Sequence, residues 1–333
     1  MPSLNSRRQF LKSLGLASSL LGLNCTALAK DSQRSFPHPG VTSTHNREHP
    51  YELMICDYVK FQISKVNKKG NVVWEHKPKG KVWDFVLTDD DKIIYPIITD
   101  TQEVRCIDFQ ENIIWSWPYA DRYREIINIT QHQSQLILSG QMPPQAIMMS
   151  REGKIQNQLS IPAKYKHQHG QLGNVYALNN NHFLVQLWGE GTVLEVDEAG
   201  TEVWRFAVPK KGTGQHPAGT VQDVLRLDNG NTLVACGTQA RLLEVNRTGK
   251  IEWEFTANDH PELNLTNACN LQKLKDGSIL VTNFLRGNSG RGAHAFILSK
   301  EKQVIWSFTD HQNFTAASQV WAIQCEPSND TLN

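Results

Sequence analysis

Histidine serves as base, nucleophile or metal ligand near neutral pH, and half of this chain's 12 histidines recur in one kind of place. His76, His167 and His169, His216, His260 and His311 fall in five of six segments that link successive copies of a short repeated phrase, and only the segment around Asp121-Arg122-Tyr123-Arg124 has none. His169 and His216 form the preferred catalytic pair, because each precedes by a few residues a member of a second set, Asn174 and Asp223. That second set is Asp84, Ile126, Asn174, Asp223, Asn270 and Ala322, which occupy equivalent places when the repeats are aligned on their turns, and four of the six are Asp or Asn. Such side chains would line a binding site with polar groups, or else cap turns and bond neighbouring backbone, as short Asp and Asn side chains readily do. A third candidate is Arg286-Gly287-Asn288-Ser289-Gly290-Arg291-Gly292, where two guanidinium groups and flexible backbone amides suit a sulfate, phosphate or carboxylate. Arg241 lies in the matching segment of the preceding repeat and joins that candidate set.

The elements that must position these residues follow from the repeat itself. Gly70-Asn-Val-Val-Trp74, Glu111-Asn-Ile-Ile-Trp115, Gly200-Thr-Glu-Val-Trp204, Gly249-Lys-Ile-Glu-Trp253 and Lys302-Gln-Val-Ile-Trp306 share one pattern, and Gly153-Lys-Ile-Gln-Asn157 keeps the glycine without the tryptophan. Successive copies begin 41 to 53 residues apart, within or near the period of propeller blades. Each unit holds four runs with strand character, here labelled a to d: Thr220 to Leu227, Thr232 to Cys236, Leu242 to Asn246 and Ile251 to Phe255 in the clearest case. Another unit reads Trp83 to Leu87, Ile93 to Ile98, Val104 to Phe109 and Asn112 to Trp117. Residues 51 to 76 supply only b, c and d, whereas Ser318 to Cys325 supply a lone strand a, so the two ends complete one blade together. The expectation is an all-β, six-bladed β-propeller, closed by a C-terminal strand a joining N-terminal strands b, c and d, which leaves no open sheet edge. The five repeated tryptophans are expected to pack between blades.

Before the first strand comes Ser6-Arg7-Arg8-Gln9-Phe10-Leu11-Lys12, an uncharged apolar stretch from Ser13 to Leu23, and Ala27-Leu28-Ala29. Paired arginines, a short apolar region and a small-x-small site read as a twin-arginine-type signal peptide over residues 1–29, followed by a linker over 30–50 and the propeller over 51–333. The expected location is therefore periplasmic or secreted, and the apolar stretch is too short for a transmembrane anchor. Loss of Arg7, Arg8 and Lys12 takes the formal charge from +1 to −2, which leaves no nucleic-acid footprint. Five widely spaced cysteines remain (Cys56, Cys106, Cys236, Cys269 and Cys325), fitting neither a zinc site nor a disulfide framework and reading mostly as buried apolar residues.

The Gly-x-x-x-Trp phrase resembles the repeat of PQQ-like propellers, and Asp223 to Leu233 is similar to the repeat of arylsulfotransferase-type propellers. The first resemblance raises a quinone-dependent dehydrogenase, yet such enzymes use eight blades and many carry adjacent cysteines, whereas six blades and no Cys-Cys are read here. The second implies an enzyme using a channel-face histidine to accept a sulfuryl group. No catalytic triad, metal motif or nucleotide loop is recognisable. The reading that asks least is a cofactor-free module that binds a small ligand or an exported protein at the channel face, through the loops joining d to a and b to c.

Overall fold

Short apolar runs punctuated by polar turns form six four-stranded antiparallel sheets, each ordered from strand a inside to strand d outside. The computed structural model describes residues 48–167, 169–210, 219–285 and 290–324. The signal segment, most of the linker, His216, Arg286 and Cys325 lie outside the described residues. Blade 1 comprises Val86–Leu87, Ile93–Pro96, Glu103–Ile107 and Ile113–Pro118. Blade 2 comprises Glu125–His132, Gln135–Gln141, Gln145–Ser150 and Ile155–Ser160, and blade 3 Val175–Ala177, Phe183–Leu187, Thr192–Val196 and Glu202–Ala207. Blade 4 is Asp223–Arg226, Thr232–Cys236, Arg241–Val245 and Ile251–Thr256, and blade 5 is Ala268–Lys273, Ile279–Asn283, Ala295–Leu298 and Val304–Phe308. Blade 6 is built from both ends: C-terminal Ala317–Ile323 pairs antiparallel with Glu52–Asp57, followed by Gln62–Val66 and Val72–His76. Two short 3-10 turns, Trp188–Glu190 and Pro261–Leu263, interrupt the strands.

Strand a of blade 1 is shorter than the sequence suggests. The Phe85 N–H donates to Asp84 Oδ1 and to Gln319 Oε1, both at 3.0 Å, so side chains take the place of strand pairing before Val86.

The core lies between blades rather than in one centre. One cluster joins Leu53, Ile55 and Val320 of blade 6 to Leu280, Ala295 and Phe308 of blade 5, and the other large clusters likewise cross blade boundaries. The repeated tryptophans serve these seams as expected. Trp74 Nε1 donates to the Phe109 carbonyl at 2.8 Å and Trp115 Nε1 to the Arg151 carbonyl at 2.7 Å, in each case one blade further on. Trp204 lies under Arg226 and Arg247, and Trp253 under Lys302, again from the next blade. The glycine of the phrase answers the tryptophan: Gly153 has φ +79°, and a Cβ there would stand 2.8 Å from the Trp115 ring. Where blade 2 has Asn157 instead of tryptophan, Leu159 fills the corresponding space against Gly200.

Inside this apolar layer, polar side chains on each inner strand bond to the next blade all the way round. Gln319 clasps Phe85, accepting from its N–H and donating to its carbonyl at 3.2 Å. Asp84 Oδ2 accepts from the Ile129 N–H at 3.1 Å, and Thr130 Oγ1 donates to the Val175 carbonyl at 2.5 Å. Asn174 Nδ2, Tyr176 OH and Gln186 Nε2 all donate to Asp223 Oδ1, and Asp223 Oδ2 accepts from the Leu271 N–H at 2.7 Å. Gln272 closes the circle, accepting from the Ala322 N–H at 2.7 Å and donating to its carbonyl at 2.9 Å. Gln319→Ala is expected to lower stability by about 1.5 kcal/mol by stripping buried backbone groups of partners, a fall of roughly 3 °C in melting temperature. A loss within error by differential scanning calorimetry would mean that this clasp contributes nothing.

Candidate functional site

Successive residues of a strand face opposite ways, so residues two apart share one face. Applied to strand a, this gives two tiers of side chains around the central channel. The deeper tier is Asp84, Asn128, Asn174, Asp223, Asn270 and Gln319. The next is Val86, Thr130, Tyr176, Leu225, Gln272 and Trp321, and every member of this second tier lines one cavity of about 700 Å³. From the deeper tier, Asp84, Asn174, Asn270 and Gln319 line the same cavity.

Two members of the expected polar column are thereby corrected: Asn128 and Gln319 hold the places assigned to Ile126 and Ala322. In blade 2 a register shift falls between Ile126 and Ile129, and the a-to-b turn is tighter, with His132 paired directly to Gln135. In blade 6, strands a and b come from opposite chain ends and have no connecting turn on which to align; Gln319 stands opposite Cys56. All six places are therefore amide or carboxyl.

Four residues of the deeper tier matter most. Asp223 is saturated: besides the donors above, it accepts from the Val224 N–H at 2.9 Å. Asp84 accepts from only Phe85 and Ile129 on the backbone and from the Asn128 side chain, which leaves lone pairs open on a carboxyl facing the cavity. Asn174 directs its Nδ2 to Tyr176 and Asp223, so its Oδ1, like that of Asn270, has no hydrogen-bond partner although both residues are buried. Burial pushes the Asp84 carboxyl up to about 8, with the Asp223 charge adding to the rise against its backbone bonds. Burial likewise raises Asp223, but its many donors hold it to about 6.

The cavity opens among Asp89, Gln133, Ser134 and Lys273 at the ends of a-to-b hairpins and Arg151 in the c-to-d turn of blade 2. This is the opposite face from the d-to-a and b-to-c loops on which a site was expected. At that other end Tyr58, Trp83 and Phe284 pack edge to face, with ring centroids 5.1 to 6.2 Å apart. The mouth carries its own ion pairs, Arg151 with Asp89 and Lys273 with Asp228.

Among the described loop histidines none meets one from another blade, and within a single loop the His169 N–H donates to His167 Nδ1 at 3.3 Å. His76 is buried at the end of its strand, 2.7 Å from the Tyr95 hydroxyl. His260 pairs with Glu262 at 2.8 Å, His311 packs against the buried His294 ring at 4.8 Å, and His167 is exposed. His169 holds Glu125 Oε2 at 2.7 Å through Nδ1 and stands edge-on to Trp188. Arg241 is buried, bonded to Glu254 Oε1 at 3.0 Å and to the Pro209 carbonyl at 2.6 Å. Arg291 is exposed, away from the residues that line the cavity. Among the described residues no cluster of histidine, cysteine or carboxylates could hold a metal. Cys56, Cys106, Cys236 and Cys269 are free and buried, as the sequence suggested. Sequence reasoning missed Tyr176, Gln272 and Trp321, although the alternation rule applied two residues beyond the column would have found them.

The geometry defines a six-bladed β-propeller whose channel holds a cavity with an acceptor-rich floor and a largely apolar wall. The chain belongs to the Mal s 1 allergenic protein-like family, whose pattern matches residues 55–320. No curated protein matches it in sequence. Among solved structures, a protein of unknown function from Bacteroides caccae superposes with a TM-score of 0.69 at 19% identity, over 81% of this chain and 98% of that one. Streptogramin B lyase superposes with a TM-score of 0.54 at 12% identity, over 84% of this chain and 85% of that one. A catalytically inactive histidine-to-alanine virginiamycin B lyase from Staphylococcus aureus, solved with quinupristin, gives 0.54 at 13% identity, over 80% and 86%. At these identities the likeness is one of fold. Among the described residues no helix is long and apolar enough to cross a membrane.

Proposed function

We propose that the protein is an exported binding module that takes a small molecule into its channel through the a-to-b turn face. The observation that carries this reading is the cavity of about 700 Å³, in the range of small-molecule sites, with polar groups gathered at its floor and Val86, Leu225, Tyr176 and Trp321 along its wall. The twin-arginine phrase at Arg7-Arg8 supports export. Native mass spectrometry of protein purified from its producing cell is expected to show a mass excess that denaturation releases. Leu225→Trp, which fills the cavity from one wall, is expected to abolish that excess while shifting the melting temperature by less than about 3 °C. Retention of the adduct in this variant would place binding elsewhere.

A catalytic reading has one observation in its favour, the 2.7 Å contact of His169 Nδ1 with Glu125. A carboxylate in that position orients an imidazole for base or nucleophilic work, the role that the arylsulfotransferase resemblance would give it. Turnover of an aryl sulfate that His169→Ala abolishes would establish it; equal turnover by both proteins would remove it.

A further inference from the structure

The cavity floor carries more open acceptors than open donors. Asp84, Asn174 and Asn270 come from blades 1, 3 and 5, all line the cavity, and each presents an oxygen with capacity to accept. Most donors beside them are committed, Asn174 Nδ2 and Tyr176 OH to Asp223, the Gln319 amide to Phe85 and the Gln272 amide to Ala322, which leaves Asn270 Nδ2 as a floor donor without an acceptor. No lysine or arginine among the described residues pairs with Asp84, and the two cations lining the cavity, Arg151 and Lys273, lie at the mouth beside their own carboxylates. A buried carboxyl without a cation remains neutral or gains one from a ligand. With an acidic side chain and no free cation, such a floor favours a cationic ligand group over a carboxylate or phosphate.

We propose that the cavity binds a primary amine, with its ammonium group against Asp84, Asn174 and Asn270 and its carbon skeleton against Val86, Leu225 and Trp321. This rests on the reading of the cavity as a ligand site. An ammonium has three N–H donors, matching three acceptors on three blades. A bare calcium ion takes about six to eight oxygens and would leave the apolar wall without a partner. Binding requires the Asp84 carboxylate, so the amine displaces the proton that burial keeps there. The titratable groups facing Asp84 are Asp223 and Tyr176 across the channel, Cys56 on strand b of blade 6 and Cys269 on strand a of blade 5. Burial raises the tyrosine and both thiols, which leaves the two carboxyls as the groups that titrate near neutrality.

Isothermal titration with phenethylamine, 2-phenylethanol and calcium chloride tests the assignment on the full-length mature protein. The amine is expected to bind at least tenfold tighter than the alcohol at pH 8. Its affinity should rise between pH 6.5 and 8, by no more than tenfold per pH unit for one displaced proton, while that of the alcohol stays flat. Asp84→Asn keeps an acceptor for the Ile129 N–H and should reduce the preference to near unity; Asn270→Leu, which leaves the carboxyl in place, should weaken the amine about tenfold. Equal binding of amine and alcohol would overturn the ammonium while leaving the channel a binding site. Calcium binding that blocks the amine would assign the floor to a metal. A native adduct with no affinity for the amine probe would overturn the ligand class alone.

Discussion

Asp223→Ala is expected to destabilise the protein by about 4 kcal/mol, because a buried donor left without its acceptor costs roughly 1–3 kcal/mol. Five donors converge on this one carboxyl: Tyr176 OH, Asn174 Nδ2, Gln186 Nε2 and the N–H groups of Val224 and Leu271. They come from blades 3, 4 and 5, so the substitution loosens two blade interfaces at once. Urea unfolding followed by tryptophan fluorescence measures the loss, which corresponds to roughly 8 °C in melting temperature. Asp223→Asn retains an acceptor and should lose less than half as much. A loss below about 1 kcal/mol for the alanine variant would show that water can replace the carboxylate, and that the network orders the channel without stabilising it.

Stability of the ligand-free protein is expected to fall by about 2 kcal/mol between pH 6.5 and 8, at about 1.4 kcal/mol per pH unit for one proton. The sign comes from Asp84. Its pKa is raised in the fold to about 8 from the ordinary 3.8, so the native state holds a proton that the unfolded chain has released. That contribution is complete below the unfolded value and is lost as the pH climbs to the folded one. Asp223 acts in the same direction, but only up to about 6. His294 acts in the opposite direction: burial lowers it to about 4 from 6.5, so stability rises with pH across that interval. His49 and His76 are also lowered by burial, and their effect likewise ends near 6.5. The buried thiols enter only near and above the ordinary thiol value of 9. The window from 6.5 to 8 therefore belongs to Asp84. Urea midpoints across that window should slope downward in the wild type and flatten in Asp84→Asn; an equal slope in both would remove Asp84 as the cause.

The candidate site was only partly legible in the sequence, for reasons that differ from residue to residue. Asp84, Asn174, Asp223 and Asn270 were found because their repeats share a turn of the same length. Asn128 was hidden by the irregular pairing between Ile126 and Ile129, and Gln319 by the absence of a turn in the blade shared between the termini. Bonding to neighbouring backbone, one of the two readings of the column, is what Asp84 and Asp223 show. Asp84 bonds a neighbouring backbone and faces the cavity, while Asp223 is consumed by the network behind it. The loop histidines fared differently, since shared placement in loops gave no information on convergence: His76 turned into the sheet towards Tyr95, and His260 turned to Glu262.

By itself the sequence determined the number of blades, their order and the way in which the ends close the ring. Those follow from alternating apolar runs, turns and a recurrent Gly-x-x-x-Trp phrase, which are local or strictly periodic. The face on which the cavity opens, the saturation of Asp223 and the unpartnered oxygens of Asn174 and Asn270 were decided only by the tertiary structure. Each of these depends on side chains from different blades, separated by some fifty residues in the chain, meeting around one axis, and no local pattern encodes which of them find partners there.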